Sequence, residues 1–476
     1  MFPRALIVLL GWGALAFGAE YAWAYAPLML WSVFTCALAL RAGTAASLRL
    51  RGLYVVLGLM LLAVGTQLVP MPRDAAEGIN GAAAKADYAG LSAAVLGNAD
   101  RPQDSEASSR YRAISIAPSR TALGLVFVAI VVGLFITCAR AMSVVGHRTT
   151  VRGIVVLGVV VAFLQLIQSA SGSDVVYGFW VPPTEKGHHS APFLNRNHTA
   201  GWLLMALSVS LGRFAGLMSQ WPLAGRRWRQ RLLSLSDAGP SEAVLTAVGV
   251  GVMAVAIVST ASRSGLACLA VAVAMAVAWS GRARLSIPRR AAVALYAIAA
   301  LLFALSQDVV ARVVGRLSTT TWTTLDGRLD VWRDSLDIIR DTPWVGTGLN
   351  TYGIAMLHYQ TVDDGLQYIE AHNDYLQLFA EGGLLLVIPL VLVLLFFVRE
   401  VRRRFREGAD TAEISCLRAG AVTGLVSIAA QEVVDFTLQM PGAAVLFVVL
   451  AAIAIHKPCY LRRQPSTSAV TQQFSG

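Results

Sequence analysis

The sequence predicts an all-α polytopic membrane protein, with twelve transmembrane helices and a large helical external loop between spans nine and ten. Three observations carry this. Hydrophobic residues make up 56% of the 476 and charged residues only 14%, more apolar surface than a soluble domain of this size can hide. The apolar residues gather in repeated runs of membrane-spanning length. Basic residues cluster in short loops between those runs, as in "GRRWRQR" (225–231), "GRARLSIPRR" (281–290) and "REVRRRFRE" (399–407). The net charge of +11 therefore reads as cytoplasmic anchoring, not as a surface for nucleic acid.

The spans run over 5–19, 22–40, 52–70, 121–139, 153–170, 198–217, 243–262, 264–280, 291–306, 384–398, 416–434 and 440–456. The first is read as a span and not as a signal peptide, because no small-residue cleavage site follows and further spans come at once. Parity with a cytoplasmic start leaves both termini inside, and the excess of Lys and Arg in the loops so assigned agrees. The chain divides into spans one to nine (1–306), an external helical segment (307–383), and the last three spans with their tail (384–476). The cysteines Cys36, Cys138, Cys268, Cys416 and Cys459 are scattered and match no disulfide framework or zinc spacing.

Three external segments follow from this topology. Residues 71–120, rich in Ala, Ser, Gly and Asp, read as a weakly structured loop. Residues 171–197 contain "YGFWVPPTEKGHHSAPFLNRN". Residues 307–383 contain an amphipathic helix, "DGRLDVWRDSLDIIRD" (326–341), with Leu329, Trp332, Leu336 and Ile339 on one stripe. "TPWVG" stops that helix, "GTGLN" turns the chain, and a second helical stretch follows near 350–360. A third helix carries "EAHNDYLQLFAEGG" (370–383) and merges into the next span.

No ATP exists outside the cytoplasm, so chemistry on this face needs a substrate that arrives activated. Glycans carried on a polyprenyl diphosphate meet that need. Such a donor requires cations for its diphosphate and a base for the incoming hydroxyl. Arg263, in "STASRSGLA", lies between two spans with no room for a loop, and Arg196, in "FLNRNHTAG", opens a span. Either alone reads equally as an interfacial anchor. Together they form a candidate diphosphate clamp, since a guanidinium binds two phosphate oxygens at once. Asn195, Asn197 and His198 flank Arg196, and the start of that helix adds partial positive charge. His372 is the candidate base, because imidazole titrates near neutral pH, and His198 is a second candidate for that role or a contact to the diphosphate. Glu370 or Asp374 would orient His372, Asp374 only at an irregular helix start, since residues two apart on a helix diverge by roughly 200°. The plainer reading makes His372 and Asn373 caps of the helix that follows. Arg328 can reach the diphosphate or a sugar, while Trp332 reads as core packing. Glu432 and Asp435, in "QEVVDFTLQMPG", pair with the arginines or hold an acceptor sugar. His188 and His189 read as solvated loop residues, and no metal-ligand spacing appears.

"RLDVWRDSLDIIRDTPWVGTGLNTYG" (328–353) followed by "AHNDYLQLFAEGGLLLVIPL" (371–390) resembles the O-antigen ligase and O-antigen polymerase superfamily of bacterial envelope glycosyltransferases. "SRSG" (262–265) and "FLNRNHTAGWLL" (193–204) add to the resemblance, which covers roughly residues 190–400. It implies an inner-membrane enzyme with its active site facing the periplasm and an undecaprenyl-diphosphate-linked glycan as donor. The acceptor would be a glycan or lipid A-core, and membrane lipid and a chain-length regulator are further partners. It implies diphosphate binding by Arg196 and Arg263 with help from Arg328, an essential role for His372, and an inverting reaction without metal or cofactor. The "NRNH" block and the long first external loop favour a polymerase of O-antigen or exopolysaccharide repeats. The alternatives are a ligase joining polysaccharide to lipid A-core and a protein O-oligosaccharyltransferase. A lipid-linked oligosaccharide transporter is the non-enzyme alternative. It would need charges deep in the spans, whereas span interiors here read as nearly charge-free. A non-catalytic scaffold would tolerate the loss of His372.

Overall fold

The computed structural model describes residues 1–42, 50–81, 110–182, 190–220, 238–282, 323–361, 367–408 and 410–458. The expected ninth span (291–306), His188, His189, Cys459 and most of the basic loops at 225–231 and 281–290 lie outside them. Fourteen α-helices occur among the described residues: α1 (Phe2–Leu15), α2 (Ala22–Arg41), α3 (Arg51–Thr66), α4 (Arg73–Ile79), α5 (Pro118–Val145), α6 (Arg148–Ser171), α7 (Arg196–Gln220), α8 (Ala238–Ser259), α9 (Arg263–Arg282), α10 (Thr323–Asp341), α11 (Tyr352–Tyr359), α12 (Asp374–Glu407), α13 (Ala412–Gln431) and α14 (Pro441–Ile455). Seven of these (α2, α5, α6, α7, α8, α12 and α13) are long and apolar enough to cross a membrane. The shorter apolar helices α1, α3, α9 and α14 fill the remaining expected span positions that are described. The protein is an all-α polytopic membrane protein.

Its centre is α7, buried along its spanning length and packed by α6, α8, α9, α13 and α14. The approach to α13 is closest where Gly212 faces Gly420. A Cβ on Gly212 would lie 2.9 Å from the Gly420 Cα, so small residues set this crossing. Hydrogen bonds Ser190–Gln165, Ser262–Asn197, Gln431–Asn197 and Asp374–Glu432 bring the starts of α7, α9 and α12 to one end of the bundle with the ends of α6, α8 and α13.

Several expectations are corrected in detail. The first span is helical only to Leu15, because Phe17, Gly18 and Ala19 all take positive φ (55, 73 and 60°), which no right-handed helix can continue. The ends of the 71–120 loop are ordered. Strand β1 (Pro70–Pro72) pairs antiparallel with β2 (Tyr111–Ala113), and Ile116 donates its backbone N–H to the Thr347 carbonyl (2.9 Å). Residues 82–109 lie outside the described set. On α10 the buried face is Val331, Asp334, Ser335 and Ile338, not the predicted apolar stripe, and Leu329 and Leu336 stay over 40% exposed (46% and 41%). Hydrogen bonds set this rotation. Asp334 accepts from the Thr361 hydroxyl (2.8 Å) and backbone (3.1 Å), and Ser335 shares a hydrogen bond with Tyr352 (2.7 Å).

Spans are not charge-free either. Toward the opposite end of the bundle, buried Arg213 pairs with Glu413 and, at 2.8 Å, with Glu242. Arg148 reaches Glu413 at 2.9 Å, and fully buried Arg418 pairs with Asp410 (2.9 Å) while donating to the Ala454 and His456 carbonyls at the end of α14. Arg213 and Arg418 each have a counter-ion, and Arg418 also serves the orphan carbonyls at a helix end, as burial demands.

Candidate active site

The helix carrying 374–383 does run on into an apolar helix of membrane-spanning length, but through a break. α12 is interrupted at Gly383 (φ 55°, ψ −165°), a conformation suited to glycine alone, since a Cβ there would meet the Trp344 carbonyl carbon at 2.5 Å. A break in a membrane helix leaves backbone groups without partners. Here the 343–348 turn supplies them. The Ala380 and Glu381 carbonyls accept from Thr347 and Gly348 (both 2.9 Å), and Leu384 and Leu385 donate to the Pro343 and Trp344 carbonyls (both 2.9 Å). Gln67, at the end of α3, locks the arrangement by donating to the Val345 (2.7 Å) and Glu381 (2.9 Å) carbonyls and accepting from the Leu349 N–H (3.0 Å). The Glu381 carboxyl accepts from the Asn350 (2.8 Å) and Tyr352 (3.0 Å) N–H groups at the start of α11.

This scaffold fixes the segment before α12. Asn373 is the N-cap, its Oδ1 accepting from the Tyr375 and Leu376 N–H groups (both 3.1 Å). His372 lies outside the helix at φ 50°, so it does not cap it. Trp332 of α10 donates its indole N–H to the Ala371 carbonyl (3.0 Å), which ties the amphipathic helix to the histidine segment. Asp374 does not orient His372. Its carboxyl instead accepts from Gln439 Nε2 (2.7 Å), and its N–H donates to the Glu432 carbonyl (3.1 Å).

Residues far apart in sequence meet around Phe436. The rings of His198 and His372 both lie edge-on to it, with centroids 4.7 and 4.9 Å away. His198 Nε2 and His372 Nδ1 have no hydrogen-bond partner among the described residues, and Asp435 Oδ1 lies 3.8 Å from His198 Nε2. A hydrogen-bonded chain then crosses three elements. Ser264 donates to Asp435 (3.4 Å) and shares a contact with Ser262 (3.2 Å), and Ser262 donates to Asn197 Oδ1 (2.8 Å). Gln431 donates to the Asn197 carbonyl (2.9 Å), and Asn195 Oδ1 accepts from the Asn197 N–H (2.9 Å). Arg196 and Arg263, the first residues of α7 and α9, thus flank bonded neighbours, and both are solvent-exposed. Ser262, Ser264, Gln431, Gln439 and Phe436 belong to this cluster without having been assigned a role from sequence. "SRSG" and "QEVVDF" held the signal, but nothing in either motif says that the two touch.

The electrostatics follow from burial. Burial, then the Arg328 cation, hold the His372 imidazole down at about 4, so it is neutral through the physiological range. Burial pushes Asp435 up to about 6, against the Phe436 N–H and Arg328. Glu432, beyond the end of α13, is pushed well up by burial and by the neighbouring Asp374 carboxyl. Burial also lifts Glu370 to about 7, with Glu20 and Glu381 adding to it. His372 is thus a neutral imidazole whose Nδ1 is buried without a hydrogen-bond partner among the described residues, the protonation state a general base needs.

Residues 248–391 match the family model described as O-antigen ligase. The chain carries an O-antigen ligase family domain. The match is narrower than the resemblance read at 190–400, and it supports the O-antigen ligase/polymerase superfamily. The O-antigen ligase match includes Arg263, Arg328, His372, Asn373 and Asp374, whereas Asn195, Arg196, Asn197, His198, Glu432 and Asp435 lie outside it and join the cluster through the fold. No curated protein matched the chain. The family implies a glycosyltransferase-type enzyme in general, and the apolar helices fit a multi-pass membrane protein.

Proposed function

We propose that the protein is a glycosyltransferase of the bacterial inner membrane, working at its periplasmic face and joining undecaprenyl-diphosphate-linked glycan repeats into O-antigen or exopolysaccharide. The observation that carries this reading is the bonded chain Asn197–Ser262–Ser264–Asp435, which draws the starts of α7 and α9 together beside Phe436 and His372. In this reading Arg196 and Arg263 hold the diphosphate, with the partial charges of two helix N-termini behind them. Arg328 lies close enough to depress His372 and Asp435 and completes the cationic side. The acceptor hydroxyl gives its proton to His372 as its oxygen bonds to the sugar C1. The C1–O bond to the diphosphate breaks, and its electron pair leaves with the phosphate. Configuration at C1 inverts. The arginines act where negative charge grows, which is where fixed cations lower a barrier most. Asn195, Asn197, His198, Asn373, Asp374, Glu432 and Asp435 shape the pocket around the reacting groups. The basic-loop bias supports this face as external and both termini as cytoplasmic.

The test is reconstitution of the purified protein with undecaprenyl-diphosphate repeat units, alone and then with lipid A-core. Elongation without added acceptor is the expected result. Transfer only onto lipid A-core makes the protein a ligase, and no product in either arm removes the reading.

A further inference from the structure

Beside the cluster around Phe436 lies a second feature that the proposed reaction does not use. Phe17, Tyr21, Trp23, Tyr177, Phe179 and Trp180 form one connected aromatic group, with centroids such as Phe17–Trp180 at 5.1 Å, Tyr21–Trp180 at 5.5 Å and Tyr177–Phe179 stacked at 6.1 Å. Two built turns hold it. One is the positive-φ run Phe17–Ala19, the other a tight hairpin closed by reciprocal Val176–Trp180 backbone bonds (both 2.9 Å) with Tyr177 and Gly178 at φ 58 and 76°. The Tyr177 hydroxyl donates to the Leu15 carbonyl (2.7 Å), joining the two turns. Phe179 is 74% exposed and Trp23 49%. The Trp180 indole N–H is buried without a hydrogen-bond partner among the described residues.

An aromatic group at one end of a membrane bundle is ordinarily an interfacial belt. Two observations set this one apart. It is continuous with the candidate site, since its inner face packs on Ala191 and Leu194, directly before Asn195 and Arg196. It also carries a carboxylate toward the histidine segment: Glu20, between Ala19 and Tyr21, acts electrostatically on Glu370, two residues before His372. The guanidinium groups suit a diphosphate. Carboxylates beside exposed rings repel phosphate but suit neutral sugars, which stack their C–H faces on rings and donate hydroxyls to carboxylates.

We infer that the aromatic group of the Phe17 turn and the 176–180 hairpin, together with Glu20 and Glu370, is a sugar-binding subsite that holds the acceptor glycan with its hydroxyl directed to His372. This rests on the proposed function for the role of acceptor, but binding can be measured without turnover. The probe is the lipid-free oligosaccharide repeat of the host cell's own surface polysaccharide, titrated by tryptophan fluorescence against the full-length protein in nanodiscs. Farnesyl diphosphate is titrated separately. Wild type should bind the oligosaccharide without competition from farnesyl diphosphate. Phe179→Ala and Glu20→Gln should each weaken that binding by about fivefold or more, while farnesyl diphosphate binding and thermal midpoint stay at wild-type values. Absence of oligosaccharide binding in wild type, or equal binding in the variants, overturns the subsite. So does a loss confined to lipid partitioning or thermal stability, which marks a membrane anchor. Failure of farnesyl diphosphate to bind wild type counts against the diphosphate role of the arginines and leaves the subsite to be judged on the oligosaccharide alone.

Discussion

His198 and His372 meet at the ring of Phe436, each edge-on to it, with centroids 4.7 and 4.9 Å away. Edge-on aromatic pairs are worth about 0.5–1.5 kcal/mol each and fix orientation more than they add stability. Phe436→Leu should keep the pocket apolar but free both imidazoles. Single-turnover assays should show kcat roughly tenfold to a hundredfold lower with donor KM near wild type. Unchanged kcat per folded molecule would leave Phe436 as packing only.

Replacing His372 separates chemistry from binding. His372→Gln should lower transfer by about 10²–10⁴ while farnesyl diphosphate still binds. Arg263→Ala should do the reverse at the binding step, raising the dissociation constant for that diphosphate. Equal transfer by wild type and His372→Gln would remove the base assignment.

The rate should depend on pH in a defined direction. Burial and then Arg328 hold His372 at about 4, below the ordinary 6.5. In the proposed reaction its free-base form accepts the hydroxyl proton, so activity should fall as pH drops through about 4 and be flat above it. Arg328→Gln removes the second cause, and the acid limb should move up toward 6.5. An inflection near 7 that disappears in Glu370→Gln belongs to that carboxyl, which burial raises to about 7. An acid limb centred at 6.5 in wild type would contradict the buried, cation-flanked imidazole.

Gly383→Ala forces a side chain into φ 55° against the Trp344 backbone. Backbone strain alone costs about 1–3 kcal/mol, so the thermal midpoint in nanodiscs should fall. Gly133→Ala makes the control, since a Cβ there meets nothing within 4 Å, and its midpoint should hold.

At the other end of the bundle, Glu413→Gln leaves buried Arg213 with less counter-charge. Removing one partner of a buried ion pair typically costs about 3–5 kcal/mol; Glu242 still faces Arg213 at 2.8 Å, so the loss should fall at or below the low end. Thermal unfolding in nanodiscs measures it.

Much of this molecule was legible in its sequence, for physical reasons. Apolar runs must become helices in lipid, so α2, α5, α6, α7, α8, α12 and α13 fell where their runs did. Pro343 stopped α10 and the glycine-rich turn after it formed. The helix rotation was not legible, because Asp334 and Ser335 are buried by partners at Thr361 and Tyr352 that no periodicity reveals. Arg213 and Arg418 escaped notice because a charge inside an apolar run looks misplaced until its counter-ion arrives from another helix. The link between the two histidines was invisible for the same reason: Phe436 reads as one more apolar residue near a span.

The stitching of the 343–348 turn into the interrupted α12 has a practical corollary for chimeras. A graft that swaps the extramembrane segment at the lipid boundary would cut through backbone bonds shared with Ala380 to Leu385 and leave Gln67 without the carbonyls it serves. The transplantable unit has its seam inside the helix, below the break, and must bring the end of α3 along as a matched part.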